Sequence, residues 1–215
     1  MYIFFIILCI LVIIYNNYNL VVENFSSKNK TIVLIGDSIL QNKRYANPSV
    51  EDFLLEKIPE DQLFCLAQDN STISKTKKQI YNIPNNINNS YTYIFVSVGG
   101  NDILNDIVYK TYPSKYILFN IMTEYEKLID ELHEKMNNCH IILLNLYYPT
   151  TSFLKKYYNS INTWNYFIKK ISNKYNFKLL DLTKIINQPK DITHFIEPSV
   201  LGGKKITNKI ETILN

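Results

Sequence analysis

The chain has 215 residues, of which 47% are hydrophobic and 20% charged, and its formal net charge is +4. That length holds one well-buried core and is short for two ordinary domains plus a leader, while the balance of apolar to charged residues excludes wholesale disorder and a multi-span membrane protein. The positive excess comes mainly from scattered Lys, so its densest group, Lys75, Lys77 and Lys78, reads as a solvated helix face, and no nucleic-acid partner is expected.

From Tyr2 to Tyr15 every residue is apolar or aromatic, a run of about 14, and Leu20 to Val22 extend it past Asn16, Asn17 and Asn19. No basic residue precedes this run and no small-residue cleavage site follows it, so residues 1–22 are expected to be a hydrophobic helix serving as an uncleaved membrane anchor, with a cleaved secretion signal as the alternative. Lys28, Lys30, Lys43 and Arg44 favour a cytosolic C-terminal side, whereas long domains cross regardless of such charges, so the topology stays open. Sequons beginning at Asn24, Asn29, Asn70 and Asn88 are weak support for export in a chain this rich in Asn. Residues 23–29 read as a polar tether, and one domain is expected over 30–215.

Within that domain, apolar and β-branched runs recur at Thr31 to Gly36, Gln62 to Ala67, Tyr91 to Val98, His140 to Leu146 and Phe177 to Leu182. Each is too short for a helix and predicts a buried strand. Between them, Leu118, Ile121, Met122, Tyr125, Leu128, Leu132 and Met136 form one stripe at helical spacing. Strands alternating with helices predict a five-stranded parallel sheet covered on both faces, a flavodoxin-like three-layer α/β/α sandwich. Cys9, Cys65 and Cys139 show no ligand spacing, so no metal, cofactor or disulfide is expected. His133, on the striped helix, and His140, opening a strand, are assigned to structure.

In such sheets the working cleft lies at the carboxyl ends of the strands. There the sequence places Asp37 and Ser38, then Asp69, Asn70, Ser71 and Thr72, then Gly99, Gly100, Asn101 and Asp102, and finally the Asp191 and His194 loop. Acyl transfer needs a nucleophile, a base, a group that orients the base, and donors for the developing oxyanion. Ser38 is the candidate nucleophile, His194 the base and Asp191 its orienting carboxylate. The oxyanion donors would be the Ser38 N–H, a backbone N–H near Asn70 and the Asn101 side-chain amide. Asp37, Gly100 and Tyr148 are candidate cleft residues, with Tyr147 and Pro149 beside them; Asp37 and Asp102 are expected to fix loop geometry.

Three segments in order, Ile35-Gly36-Asp37-Ser38-Ile39-Leu40, Val98-Gly99-Gly100-Asn101-Asp102-Ile103-Leu104 and Asp191-Ile192-Thr193-His194, resemble the motifs of the SGNH hydrolases, also called GDSL esterases and lipases. The segment Ile196-Glu197-Pro198-Ser199, leading to Leu201-Gly202-Gly203, is similar to the stretch that opens the final helix in many members, so the resemblance spans about Lys30 to Asn215. It implies metal-independent ester hydrolysis in a shallow, open site. One departure is that Asn70 stands where the family's second block usually has Gly; Asn tolerates left-handed geometry, so a backbone donor can survive there. The expected substrate is a small-molecule, glycan or lipid ester, with short acyl groups or O-acyl groups on carbohydrate foremost. A lipid acyl hydrolase or thioesterase, and a catalytically silent domain that binds glycan or serves a structural role at a membrane, are the alternatives. Oligomeric state is not legible.

Overall fold

The computed structural model describes residues 30–109 and 115–215. The hydrophobic segment 1–22 and the tether 23–29 lie outside the described residues, and among those described no helix is long and apolar enough to cross a membrane.

The sheet contains β1 (Thr31–Gly36), β2 (Leu63–Cys65), β3 (Thr92–Ser97), β4 (His140–Leu144) and β5 (Lys178–Leu180), all parallel, in the order β2-β1-β3-β4-β5. Ile32, Val33, Leu34 and Ile35 are inaccessible to solvent, as expected of a strand buried on both faces. One layer comprises α2 (Ile73–Tyr81), α4 (Lys115–Lys135) and α5 (Tyr158–Tyr175), whose Ile80, Tyr125, Leu132, Trp164 and Ile168 pack on Val33, Ile35, Ile94 and Val96. The opposite layer comprises α1 (Val50–Leu55) and α6 (Val200–Leu214), whose Val50, Leu54, Ile206 and Ile210 pack on Ile32, Leu34, Phe95 and Ile142. The remaining described helix, α3 (Gly100–Tyr109), follows β3. The stripe from Leu118 to Met136 is the buried side of α4, as its spacing predicts.

The strands end earlier than the apolar runs do, because side chains and shared carbonyls take over the hydrogen bonding. The N–H groups of Leu66 and Ala67 both donate to Leu34 O, each at 2.9 Å, which closes the β2 ladder. Beyond β4, Asn145 donates to Asp181 at 2.8 Å and accepts from Leu182 N at 2.7 Å, so a side chain bridges where the ladder would continue. His133 packs against Tyr175 and Phe177, and His140 stacks on Tyr93, both structural contacts. Cys65 and Cys139 are free and half-buried.

The feature that positions the site is the pairing of β1 with β3, which runs in register from Thr31 opposite Thr92 to Gly36 opposite Ser97. Chain connections diverge on either side of this pair, one leading to β2 and the other to β4, so a crevice opens between the loops at their carboxyl ends. Asp37, Ser38, Gly99 and Gly100 lie at that switch point.

Candidate functional site at the carboxyl ends of the first and third strands

Ser38 owes its position to Gly36 and Asp37. Gly36 has φ +119, and a Cβ there would fall 1.7 Å from Ser97 O, so only glycine lets β1 turn this close to β3. Asp37 then donates its N–H to Ser97 O at 2.8 Å, while its Oδ1 accepts from Ile39 N at 3.1 Å and from the Ser97 hydroxyl at 3.0 Å. These bonds define a turn that presents the Ser38 side chain at the mouth of the crevice. Burial pushes the Asp37 carboxyl up to about 7 against the lowering effect of the Ile39 and Ser97 bonds, with Glu197 and Asp102 adding repulsion.

The loop after β2 is tied to this turn by Gln79, which sequence reading missed. Its Oε1 accepts from Gly36 N at 2.6 Å, and its Nε2 donates to Gly36 O and to Ser71 Oγ, both at 3.0 Å. Asn70 adopts the left-handed conformation at φ 57, as its identity allows, but it is exposed. Asn101 donates one side-chain N–H to Ser71 O at 2.9 Å, and Asp102 accepts from Ile73 N at 3.1 Å, so the blocks after β2 and β3 are laced together. The backbone N–H groups of Ser38 and Asn70 have no acceptor among the described residues.

One cavity gathers Ser38, Asp37, Gly100, Asn101, Tyr147 and Glu197 at its polar end, walled by Ile39, Ile103, Leu104, Leu146, Leu154 and Ile161. The expected Tyr148 is not in its lining: the Tyr148 hydroxyl donates to Asn162, its ring packs on Tyr158, and it borders a separate hollow. Its neighbours Tyr147 and Pro149 line the cavity instead, and the Tyr147 hydroxyl donates to Ile196 O.

The last loop is a small antiparallel hairpin, β6 (Ile192–Thr193) and β7 (Glu197–Pro198), with Thr193 opposite Glu197. Its tip carries His194 at φ 45 and Phe195 at φ 72, two positive values that the tight turn demands and non-glycine residues adopt at a cost. The structure does not join the expected base to its expected partner. Asp191 Oδ2 accepts from Lys205 Nζ at 2.7 Å, Gln188 N at 3.0 Å and Asn187 N at 3.2 Å, and Oδ1 has no hydrogen-bond partner among the described residues. Against the raising effect of burial, Lys205 and the two backbone donors hold this carboxyl below the ordinary aspartate range. His194 is exposed; its Nδ1 lies 3.1 Å from Thr193 Oγ1 and its ring centroid 5.4 Å from that of Tyr45. Neither His194 nor Asp191 lines the cavity.

Two hairpin residues do line it, Ile196 and the ionisable Glu197, the latter only 7% exposed, as is Ser38. Burial raises the Glu197 carboxyl above the ordinary glutamate range; a hydrogen bond from the Ser38 hydroxyl opposes that rise, and the Asp69 charge adds to it. Asp69 in turn accepts from the Tyr45 hydroxyl at 2.9 Å. The sequence offered one signal for Glu197: a carboxylate between Ile196 and Pro198 is out of place in an extended apolar stretch unless it has a partner.

No protein-family model matches the chain. The uncharacterised protein YpmR of Bacillus subtilis is 22% identical over 172 residues, covering 76% of this chain, and the chain spans 63% of that relative's length. Among solved structures, a Parabacteroides merdae protein described as a GDSL-like lipase is 14% identical, with a TM-score of 0.66 over 88% of this chain and 98% of that one. The acetylxylan esterase Axe2 of Geobacillus stearothermophilus is 14% identical, with a TM-score of 0.64 over 88% of this chain and 95% of that one. A Bacteroides fragilis protein described as an acylhydrolase is 13% identical, with a TM-score of 0.67 over 86% of each chain.

Proposed function

Starting from the SGNH hydrolase fold that this chain shares with those lipases and esterases, we propose that it is a serine esterase whose nucleophile is Ser38. The observation that carries this reading is the convergence of Ser38, Asn101, Gly100 and an ionisable hairpin side chain on one cavity at the switch point of the sheet. The Ser38 Oγ attacks the ester carbonyl carbon, and the proton acceptor comes from the Ile192–Pro198 hairpin. The negative charge that develops on the carbonyl oxygen is met by the Ser38 N–H and the second side-chain N–H of Asn101, with the unengaged Asn70 N–H as a third donor; one such donor is typically worth ~10²–10³ in rate.

The substrate class is a short-chain acyl ester, the acyl part entering the apolar end of the cavity and the alcohol part left at its open mouth. An O-acylated carbohydrate suits that division, and the presence of acetylxylan esterases among the structural neighbours supports it. Attachment to a membrane through residues 1–22, and a site held near lipid esters as a result, belong to the same proposal.

Labelling of the full chain, in detergent, with a fluorophosphonate probe tests the reading. Wild type is expected to label and Ser38→Ala not to, with turnover of p-nitrophenyl esters falling on the order of 10⁶-fold. Labelling and turnover unchanged in Ser38→Ala would exclude this nucleophile, and a wild type that neither labels nor turns over any ester would favour the catalytically silent binding domain.

A further inference from the structure

Three charged or ionisable groups of the last loop compete for the role of Ser38's base, and the structure separates them. Asp191 is saturated on one oxygen by Lys205 and two backbone N–H groups, and its main-chain O accepts from Ser199 N at 2.9 Å. These bonds fasten the foot of the hairpin to the start of α6, so Asp191 acts as an anchor. His194 sits at the exposed tip, held by Thr193 Oγ1 and packed on Tyr45. Glu197 sits at the base of the hairpin, where pairing with Thr193 fixes its backbone and its side chain lines the same cavity as Ser38.

We propose that Glu197, in place of the expected His194, is the general base and acid that serves Ser38. The inference rests on the serine esterase reading above. In the first half of the reaction the Glu197 carboxylate takes the Oγ proton as Oγ bonds to the carbonyl carbon. The tetrahedral intermediate then collapses, its bond to the alcohol oxygen breaks, and the proton on Glu197 passes to the departing alkoxide. In the second half Glu197 takes a proton from water, the resulting hydroxide attacks the acyl carbon, and the Ser38–acyl bond breaks as the proton returns to Oγ. The products are one carboxylic acid and one alcohol, and the side chains return to their starting state.

A carboxylate is ordinarily too weak a base for a serine hydroxyl, and the surroundings of Glu197 address that weakness. It is desolvated, and acidic groups face it: Asp69 bears on it directly, Asp37 shares the cavity and repels it, and the Tyr45 and Tyr147 hydroxyls lie in its field. Burial and the two aspartates make the bound proton more favourable and so bring the group nearer the pH at which it must work, whereas the two tyrosines are neutral and are themselves held protonated by the Glu197 charge.

The test compares Ser38→Ala, Glu197→Gln and His194→Ala of the full chain, with p-nitrophenyl butyrate as substrate and circular dichroism as a check of folding. Glu197→Gln is expected to lower kcat by ~10²–10⁴ with little change in KM, and His194→Ala by less than about tenfold. The wild-type pH–rate profile supplies a readout that needs no variant of Glu197. Its acidic limb should lie above the ordinary glutamate range, stay in place on warming as a carboxyl does, and persist in Asp37→Asn. A limb that falls on warming as an imidazole's does, or His194→Ala as inactive as Ser38→Ala beside an active Glu197→Gln, would overturn the assignment while leaving Ser38 as nucleophile. Full activity in Ser38→Ala would remove the esterase reading itself.

Discussion

Asp37 shows how much a single buried carboxyl can do for the geometry of this site. Its two accepted bonds shape the turn that bears Ser38, and its burial makes its charge costly. Because its folded-state value is raised to about 7, the folded protein holds a proton that the unfolded chain releases, and stability therefore falls as pH rises from the ordinary aspartate range through about 7. Asp37→Asn keeps an acceptor for Ile39 N and the Ser97 hydroxyl while removing the charge. The expected outcome is that the variant gains more stability over wild type at alkaline pH than at acidic pH, as read by urea unfolding on both sides of neutrality. An equal effect at both would show that Asp37 is not the titrating group.

At the scale of elements, the site depends on α2 as much as on the strands that carry its chemistry. Gln79 reaches from that helix to both polar groups of Gly36 and to Ser71 Oγ, so one side chain sets the spacing between the Ser38 turn and the loop bearing Asn70. Gln79→Ala leaves the Gly36 N–H and the buried Ser71 hydroxyl without partners, while Gly36 O keeps the Gln68 N–H at 3.0 Å; each orphaned group costs ~1–3 kcal/mol. A loss of about 2–5 kcal/mol in urea unfolding is expected, together with a fall in kcat larger than any change in KM, since the turn is misplaced more than the cavity is. Retention of wild-type kcat in a folded Gln79→Ala protein would show that the turn holds itself. The hairpin makes the complementary point: Lys205 and Asp191 clamp its foot, and the positive φ values of His194 and Phe195 turn its tip outward.

At the scale of the whole molecule, the cavity exists only because separate parts of the chain meet. Ile39 comes from the turn after β1, Ile103 and Leu104 from α3, Leu146 from beyond β4, Leu154 and Ile161 from the start of α5 and the turn before it, and Ile196 from the hairpin. Its walls are hydrocarbon, and an added methylene in such a pocket is worth ~1–3 kcal/mol of discrimination. Among p-nitrophenyl esters, butyrate should therefore exceed acetate in kcat/KM by about tenfold or more. Ile161→Phe, which fills the apolar end, should reduce or reverse that order. A wild type that prefers acetate, with no response to Ile161→Phe, would place the acyl group elsewhere.

The sequence by itself determined the sheet and the place of Ser38 in it. Strand-length apolar runs bounded by turn residues admit few other folds, and Gly36 before Asp37-Ser38 marks a turn that no other residue type can make so close to Ser97. The stripe on α4 was legible for the same reason, since helical spacing is a local property. Local pattern also pointed to Asp191 and His194, because Asp-x-x-His beyond the last strand matches a triad in order and spacing. Tertiary structure decided which side chains of that loop face the cavity. Pairing Thr193 with Glu197 turns the carboxylate inward and leaves the imidazole at the exposed tip, while Lys205, from a helix later in the chain, claims Asp191. Orientation within a hairpin, and competition for a buried charge, depend on partners far apart in sequence, and only the folded chain brings them together.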